Sequence, residues 1–455
     1  MQNIIRLALV ATFGFVVKTA AAPTPITEVH PGGVQDVIVT SNNTLNATAP
    51  PPANATTKQA EPVEFVASAT RSQLPLAFTN NYAGNINAYV QGLDSAGQLV
   101  FLQSNGEWYY PTASSSVSTP VPVSSSDITI PIGGQGNTLR ITLPGYLTSG
   151  RIYFANGDLQ FFTVYVSSTG DPGLVQPSST NPEDPNAGLD WGFIELTNTA
   201  AELYADVTYV DFVGIPLGLS LKAGAGTITT AKGVQASAVT TICNALVARQ
   251  NITGHPWGDL CQEYDGTVIR VIGPQDYISL NPDAFEDLYT DYVNEVWSHY
   301  ETNTLTINTQ AAAGDVACTV SASSGLLECA GDNRGYAKPT TADIFGCNSG
   351  PFAIESGDNA VHYAVVPRLC AAFDRSTLLI SGGSVQPMST EAGYYSVNPT
   401  NYYSQLVHEQ EIDGLGYAFA YDDVSPNDSN GVSGFVVDGS GDPQLLQVTI
   451  GGPSS

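Results

Sequence analysis

Residues Asp190–Leu219 read DWGFIELTNTAAELYADVTYVDFVGIPLGL. Phe193–Thr197 and Asp206–Phe212 are both rich in β-branched and aromatic residues, which predicts two neighbouring strands joined by a loop over 198–205. Each run carries an acid, Glu195 on the first and Asp211 on the second. Antiparallel strands lie about 4.8 Å apart and advance about 3.4 Å per residue, so an offset of one or two residues sets the two carboxylates roughly 6 to 8 Å apart. Two acids held on rigid strands suit a hydrolysis in which one protonates a leaving oxygen and the other activates water. The bland alternative puts Glu195 on a solvent-facing strand and makes Asp211 a cap for the turn before Gly214-Ile215-Pro216. With 42 acidic residues in the chain, spacing alone does not separate the two readings.

Outward from this stretch, residues 63–230 show short alternating runs such as Leu99–Leu102, Ile128–Pro131 and Leu159–Val166, divided by Gly, Ser and Pro clusters. This is the pattern of an antiparallel sandwich or barrel. After Lys232 the period changes. Val239, Ile242, Cys243, Leu246 and Val247 form a helical stripe, and Asn281 with Pro282 reads as the start of a second helix carrying Phe285 through Tyr300. Helices are also expected over 361–373 and 401–412, before strand-like Tyr417–Tyr421 and Gln447–Ile450. The expected architecture is mainly β with an α/β lobe: a β lobe over 63–230, a mixed lobe over 231–412, and C-terminal strands over 413–455 returning to the first, with an open cleft between the lobes.

The N-terminal 21 residues set Arg6 and Lys18 around an apolar run too short to span a bilayer, with small residues at the end, which predicts a cleaved secretory signal. Residues 22–62, rich in Pro, Thr, Ala and Asn, read as a disordered stalk. The leader holds two basic residues and no acidic one, so its removal takes the formal charge from −28 to −30. Such a field argues against nucleic-acid and anionic-membrane partners and does not repel a neutral polyhydroxylated one. The six cysteines suggest disulfides in an exported chain, and sequential pairing is expected because Cys318 and Cys329 flank the turn-like 321–325. Sequons at Asn42, Asn46, Asn54, Asn251 and Asn427 mark candidate glycosylation sites and, if used, a eukaryotic secretory route.

Three segments, GLVQPSSTNPEDPN at 173–186, DWGFIEL with TYVDFVGIPLGLSL, and DGLGYAFAYDDV at 413–424, make the chain resemble glycoside hydrolase family 64 over roughly 63–452. These are β-1,3-glucanases with a thaumatin-like core. The resemblance implies a secreted member of fungal type, extracellular or in the cell wall, monomeric and free of metal or other cofactor, acting endo on β-1,3-glucan and releasing short laminari-oligosaccharides. It implies an inverting single displacement with Glu195 as general acid and Asp211 as general base, and sugar contacts from Thr197, Tyr204 and Asn401. The estimated carboxylate spacing agrees with inversion, which needs about 6.5–9.5 Å, better than with retention, which needs about 5–5.5 Å. The chain departs from the family where a bulky aromatic, often Trp, is expected after the acid, since 198–204 offers only Tyr204, and where Leu196 stands in place of Phe. The alternative is a non-catalytic β-glucan-binding wall protein on the same fold.

Other constellations are weaker. Asp422 and Asp423 are adjacent and face opposite sides of an extended chain, which suits structural carboxylates accepting backbone N–H bonds. Asn401 is equally readable as a helix cap, and His408 with Glu409 as a packed or surface pair. No Gly-x-Ser-x-Gly elbow occurs, no Cys-x-x-Cys or His-x-x-x-His pair suggests a metal, and Ser381–Ser384 reads as a turn.

Overall fold

The computed structural model describes residues 72–112, 119–166, 170–224, 226–426 and 433–453. The expected leader, stalk and all sequons except Asn251 lie outside the described residues; Asn251 is exposed on the helix Ala238–Thr253. Strand outweighs helix. Among the described residues no helix is long and apolar enough to cross a membrane.

The largest sheet has eight strands. Its order runs Phe435–Asp438, Leu203–Val207, Trp191–Asn198, Leu147–Ala155, Ile86–Leu93, Leu99–Leu102 and Trp108–Tyr109, with Ile130–Gly133 also paired to Ile86–Leu93. Adjacent residues of a strand point to opposite faces, so Phe154 and Tyr153 serve two layers. Phe154 meets Phe78 of a five-stranded sheet edge-on at 5.1 Å, while Tyr153, Tyr89 and Phe101 gather around Phe161, which leads into a three-stranded sheet. In the five-stranded sheet Pro443–Ile450 lies between Leu74–Asn80, to which it is parallel, and Leu217–Ala223.

The helix Ala238–Thr253 forms where its apolar stripe predicts it, and Ala360–Asp374 and Tyr402–Gln410 fall where helices are expected. The three disulfides, Cys243–Cys261, Cys318–Cys329 and Cys347–Cys370, pair sequentially as expected. Cys318 and Cys329 face each other across a hairpin closed by the Gly325 N–H to the Ser321 carbonyl.

Four expectations are corrected. Asn281 does not start a helix: it ends Pro274–Leu280, its N–H bonded to the Tyr277 and Ile278 carbonyls, and the next helix begins only at Thr290 because Phe285 adopts a left-handed φ of 61°. Tyr417–Tyr421 is not a strand, since the Asp422 carboxylate accepts the Ala418 N–H at 2.8 Å and draws the chain into a turn. The loop after Glu195 is shorter than expected, because Thr199 N–H closes onto the Glu202 carbonyl at 2.8 Å and the strand resumes at Leu203. Finally, Asp206–Phe212 is not one strand. It stops at Val207, and Tyr209 donates its N–H to Tyr417 instead, at 2.7 Å.

Candidate active site

Glu195 projects from the middle of Trp191–Asn198, whose neighbours on both sides fix its register. Asp206 lies directly opposite on one flank and Arg151 on the other. Alternation places Thr197 on the same face, opposite Tyr204. Glu195, Thr197 and Tyr204 thus share one face. Tyr204 stands on a strand rather than a loop, its ring 5.3 Å from Phe435 in a stacked arrangement and its hydroxyl 3.0 Å from that of Tyr417.

Arg151 organises the acid. Its Nη2 and Nε lie 3.0 and 3.1 Å from Glu195 Oε1, its Nη1 donates to Gln176 Oε1 at 2.9 Å, and its guanidinium sits 4.6 Å above the Phe193 ring. Gln176 Oε1 also accepts the Tyr153 hydroxyl. The ion pair is partly open, with the Arg151 and Glu195 side chains 26% and 24% exposed, so a ligand from solvent can reach Glu195.

Asp211 is half-buried in the bend after the strand break, outside the ladder that aligns Glu195 with Asp206. The strand-offset estimate of the carboxylate separation therefore does not apply. Instead the Asp211 carbonyl accepts the Gly273 N–H at 2.6 Å, and Phe212 pairs with Ile272, which seats Asp211 against the start of the helix Pro274–Leu280. A Cβ on Gly214 would run into the Trp191 carbonyl, so glycine lets this segment pass tightly beneath the Glu195 strand.

On that helix Asp276 receives the Ser179 hydroxyl at 3.3 Å. Burial lifts its carboxyl well above the ordinary range, the charge of Asp211 adds to this, and Ser179 and Arg151 work against it. Asp276 thus feels both Asp211 and the arginine that holds Glu195. Asp206 is also lifted well above the ordinary range, by burial first and the charge of Glu195 second, against Arg151.

The stretch 179–189 is anchored by Arg270, 2% exposed, whose guanidinium donates to the carbonyls of Leu189, Ala187 and Ser179. Burial lowers Arg270 to about 10 despite Asp190 and Asp184. Asn401 is 1% exposed, caps Tyr402–Gln410 by accepting the Ser404 N–H at 3.1 Å, and donates to Asp374 Oδ2 at 3.2 Å. Its amide is committed within the protein. The neighbouring Tyr403 reaches the site instead, donating to the Tyr209 carbonyl and sensing Asp211 and Asp276.

Asp422 is structural, as its sequence context suggests: fully buried, it holds Arg375 Nη2 at 2.7 Å and His408 Nε2 at 3.0 Å. Asp206, Arg151, Gln176 and Asp276 are the site residues that sequence reasoning missed. One signal was available for Asp206, an acid inside the apolar alternation Leu203–Val207.

The family described as beta-1,3-glucanase, glycoside hydrolase family 64, matches residues 72–450. A glucan endo-1,3-beta-glucosidase of Cellulosimicrobium cellulans is 28% identical over 373 residues, covering 80% of this chain and 63% of its own length. One from Arthrobacter sp. (strain YCWD3) is 27% identical over 370 residues, with the same coverage of 80% and 63%. The chain therefore spans just under two thirds of the length of these relatives. Among solved structures, a laminaripentaose-producing beta-1,3-glucanase in complex with laminaritetraose shares 29% identity and a TM-score of 0.70, covering 83% of this chain and 98% of its own. A family 64 beta-1,3-glucanase domain from Clostridium beijerinckii, 20% identical with a TM-score of 0.64, covers 84% and 98% and has the same fold. The chain belongs to the β-1,3-glucanases of glycoside hydrolase family 64.

Proposed function

We propose that this protein is a secreted glycoside hydrolase that cleaves β-1,3-glucan endo-wise and with inversion, with Glu195 as general acid and Asp211 as general base. The observation that carries the reading is the placement of Glu195: mid-strand, clamped by Arg151, partly open to solvent, and on one face with Thr197 and Tyr204. The proton moves from Glu195 to the leaving glycosidic oxygen as the bond to the anomeric carbon breaks. Asp211 takes a proton from the water that attacks the opposite face of that carbon, so a β-linked substrate yields an α-anomeric product. Arg151 then stabilises the carboxylate left on Glu195. Thr197 and Tyr204 contact the sugar, and no metal or cofactor takes part.

The likeness to a glucanase crystallised with laminaritetraose supports the substrate class. The same proposal holds a cleaved leader over 1–21, a stalk over 22–62, a thaumatin-like β lobe over 63–230, a mixed lobe over 231–412 and returning strands over 413–455, with glucan in the groove between lobes. It also holds a glycosylated monomer outside the cell or in its wall, without nucleic-acid or membrane partners.

The test is incubation of the purified protein with linear β-1,3-glucan, following released oligosaccharides and their anomeric form by NMR, beside Glu195→Gln. Short α-anomeric products from the wild type alone are expected. Glucan bound without any release would instead identify a non-catalytic binding protein.

A further inference from the structure

We propose that Asp206 and Glu195 form a carboxyl pair sharing one proton, which makes Asp206 the positioning residue that retains a proton beside Glu195 against the pull of Arg151. The proposal rests on the reading of Glu195 as general acid. A general acid must hold its proton at the pH of turnover, yet a guanidinium with two nitrogens within 3.1 Å of one carboxyl oxygen favours the ionised form. Something must oppose Arg151.

The register supplies the opposing group. Asp206 is the direct cross-strand partner of Glu195, on the flank away from Arg151. Directly opposed side chains have Cβ atoms about 4.5–5.5 Å apart, and like charges there repel. Asp206 is 6% exposed, so water screens little of that repulsion. On its other flank the strand partner is Phe435, which carries no charge. Among the described residues, the hydroxyls of Tyr204 and Tyr417, both held neutral by burial, and the carboxyl of Asp423 beyond them also face this region, and Arg151 is the cation that acts on Asp206, from the far side of Glu195. Two carboxylates served by one shared guanidinium retain a proton between them, and the pair titrates as a unit. Asp206 touches no substrate. It acts through Glu195, which gives the shared proton to the leaving oxygen, after which the pair regains one from water through the exposed edge of Glu195.

The test is the pH profile of kcat/KM for Asp206→Asn and Asp206→Glu, together with carboxyl ¹³C NMR titration of the full chain with and without Glu195→Gln. Asp206→Asn is expected to move the alkaline limb about one unit or more to lower pH with KM unchanged, and Asp206→Glu to restore it. In Glu195→Gln the Asp206 carboxyl is expected to titrate at lower pH than in the wild type. The NMR titration needs neither turnover nor a folded Asp206 variant. An Asp206 titration indifferent to Glu195, or an unmoved alkaline limb in folded Asp206→Asn, overturns the pairing. Wild-type turnover by Glu195→Gln overturns the acid assignment itself, and with it any role for Asp206 in catalysis.

Discussion

Arg151 approaches a single oxygen of Glu195, Oε1, with two nitrogens, Nε at 3.1 Å and Nη2 at 3.0 Å, while its third nitrogen is held by Gln176. This aims the carboxyl group and stabilises its charge once the proton has left. Arg151→Gln is therefore expected to lower kcat by about 100-fold, the lower end of the range for general acid–base terms, because the acid itself is retained. Loss of the cation also favours the protonated acid, so the alkaline limb of kcat/KM moves to higher pH. A limb that stays in place would separate Arg151 from the acid's proton.

Tyr204 tests the sugar-binding face. Its ring stacks on Phe435 and its hydroxyl meets Tyr417. Tyr204→Ala is expected to raise KM for β-1,3-glucan about tenfold with little change in kcat, the signature of binding lost equally from ground and transition states. Tyr204→Phe keeps the ring and is expected to stay near wild type. Equal losses of kcat in both variants would assign Tyr204 to the chemistry instead.

Asp184 tests the scaffold. It accepts the N–H groups of Asn186 at 2.7 Å and Ser178 at 3.3 Å, yet burial outweighs these bonds and lifts its carboxyl to about 6. The folded chain therefore holds a proton that the unfolded chain has released between about pH 4 and 6, and stability falls as pH rises through that window. Asp184→Asn should remove this slope, worth about 3 kcal/mol across a shift of about two units. Chemical unfolding at pH 4, 5, 6 and 7 checks it; parallel curves for variant and wild type would exclude Asp184 as the source.

His408 has the opposite sign of linkage. Burial works to lower it, but the carboxylates of Asp422 and Glu411 prevail and raise it to about 10. Its contribution is complete below the ordinary histidine range near pH 6.5 and is lost as pH rises toward 10. His408→Gln leaves the buried Glu411 without its cation and Asp422 with Arg375 alone, and is expected to cost about 3 kcal/mol near pH 6. The gap from wild type should narrow by pH 9.5 in thermal unfolding. A constant gap would mean that packing, not charge, is what the histidine supplies.

What was legible in the sequence follows from local pattern. Ile242, Cys243 and Leu246 marked one helix face, Asn401 was readable as a cap, and Phe193–Thr197 and Gln447–Ile450, parts of the strands Trp191–Asn198 and Pro443–Ile450, announced themselves by β-rich composition. The misreadings have distant causes. Nothing near Thr208 says that the chain leaves its strand there, because the partner that draws it away, Tyr417, lies 209 positions on. The same holds for Asp211, held by Gly273, and for Arg151, whose meeting with Glu195 depends on a register that composition does not encode. The relation between Glu195 and Asp211 was not legible from strand spacing. Glu195 belongs to a ladder and Asp211 to a junction between sheet and helix.

The strand Pro443–Ile450 lies between Leu217–Ala223 and Leu74–Asn80. Leu74–Asn80 with Thr138–Leu143, and Leu217–Ala223 with Ile228–Ala231, are each complete on the ribosome long before that strand is made. Until it arrives the two hairpin-like halves present unpaired edges and have no backbone partner in common. The sheet beneath the acids is thus closed by the latest of its strands in the chain, and a nascent chain halted short of residue 443 would expose the sticky edges that chaperones recognise.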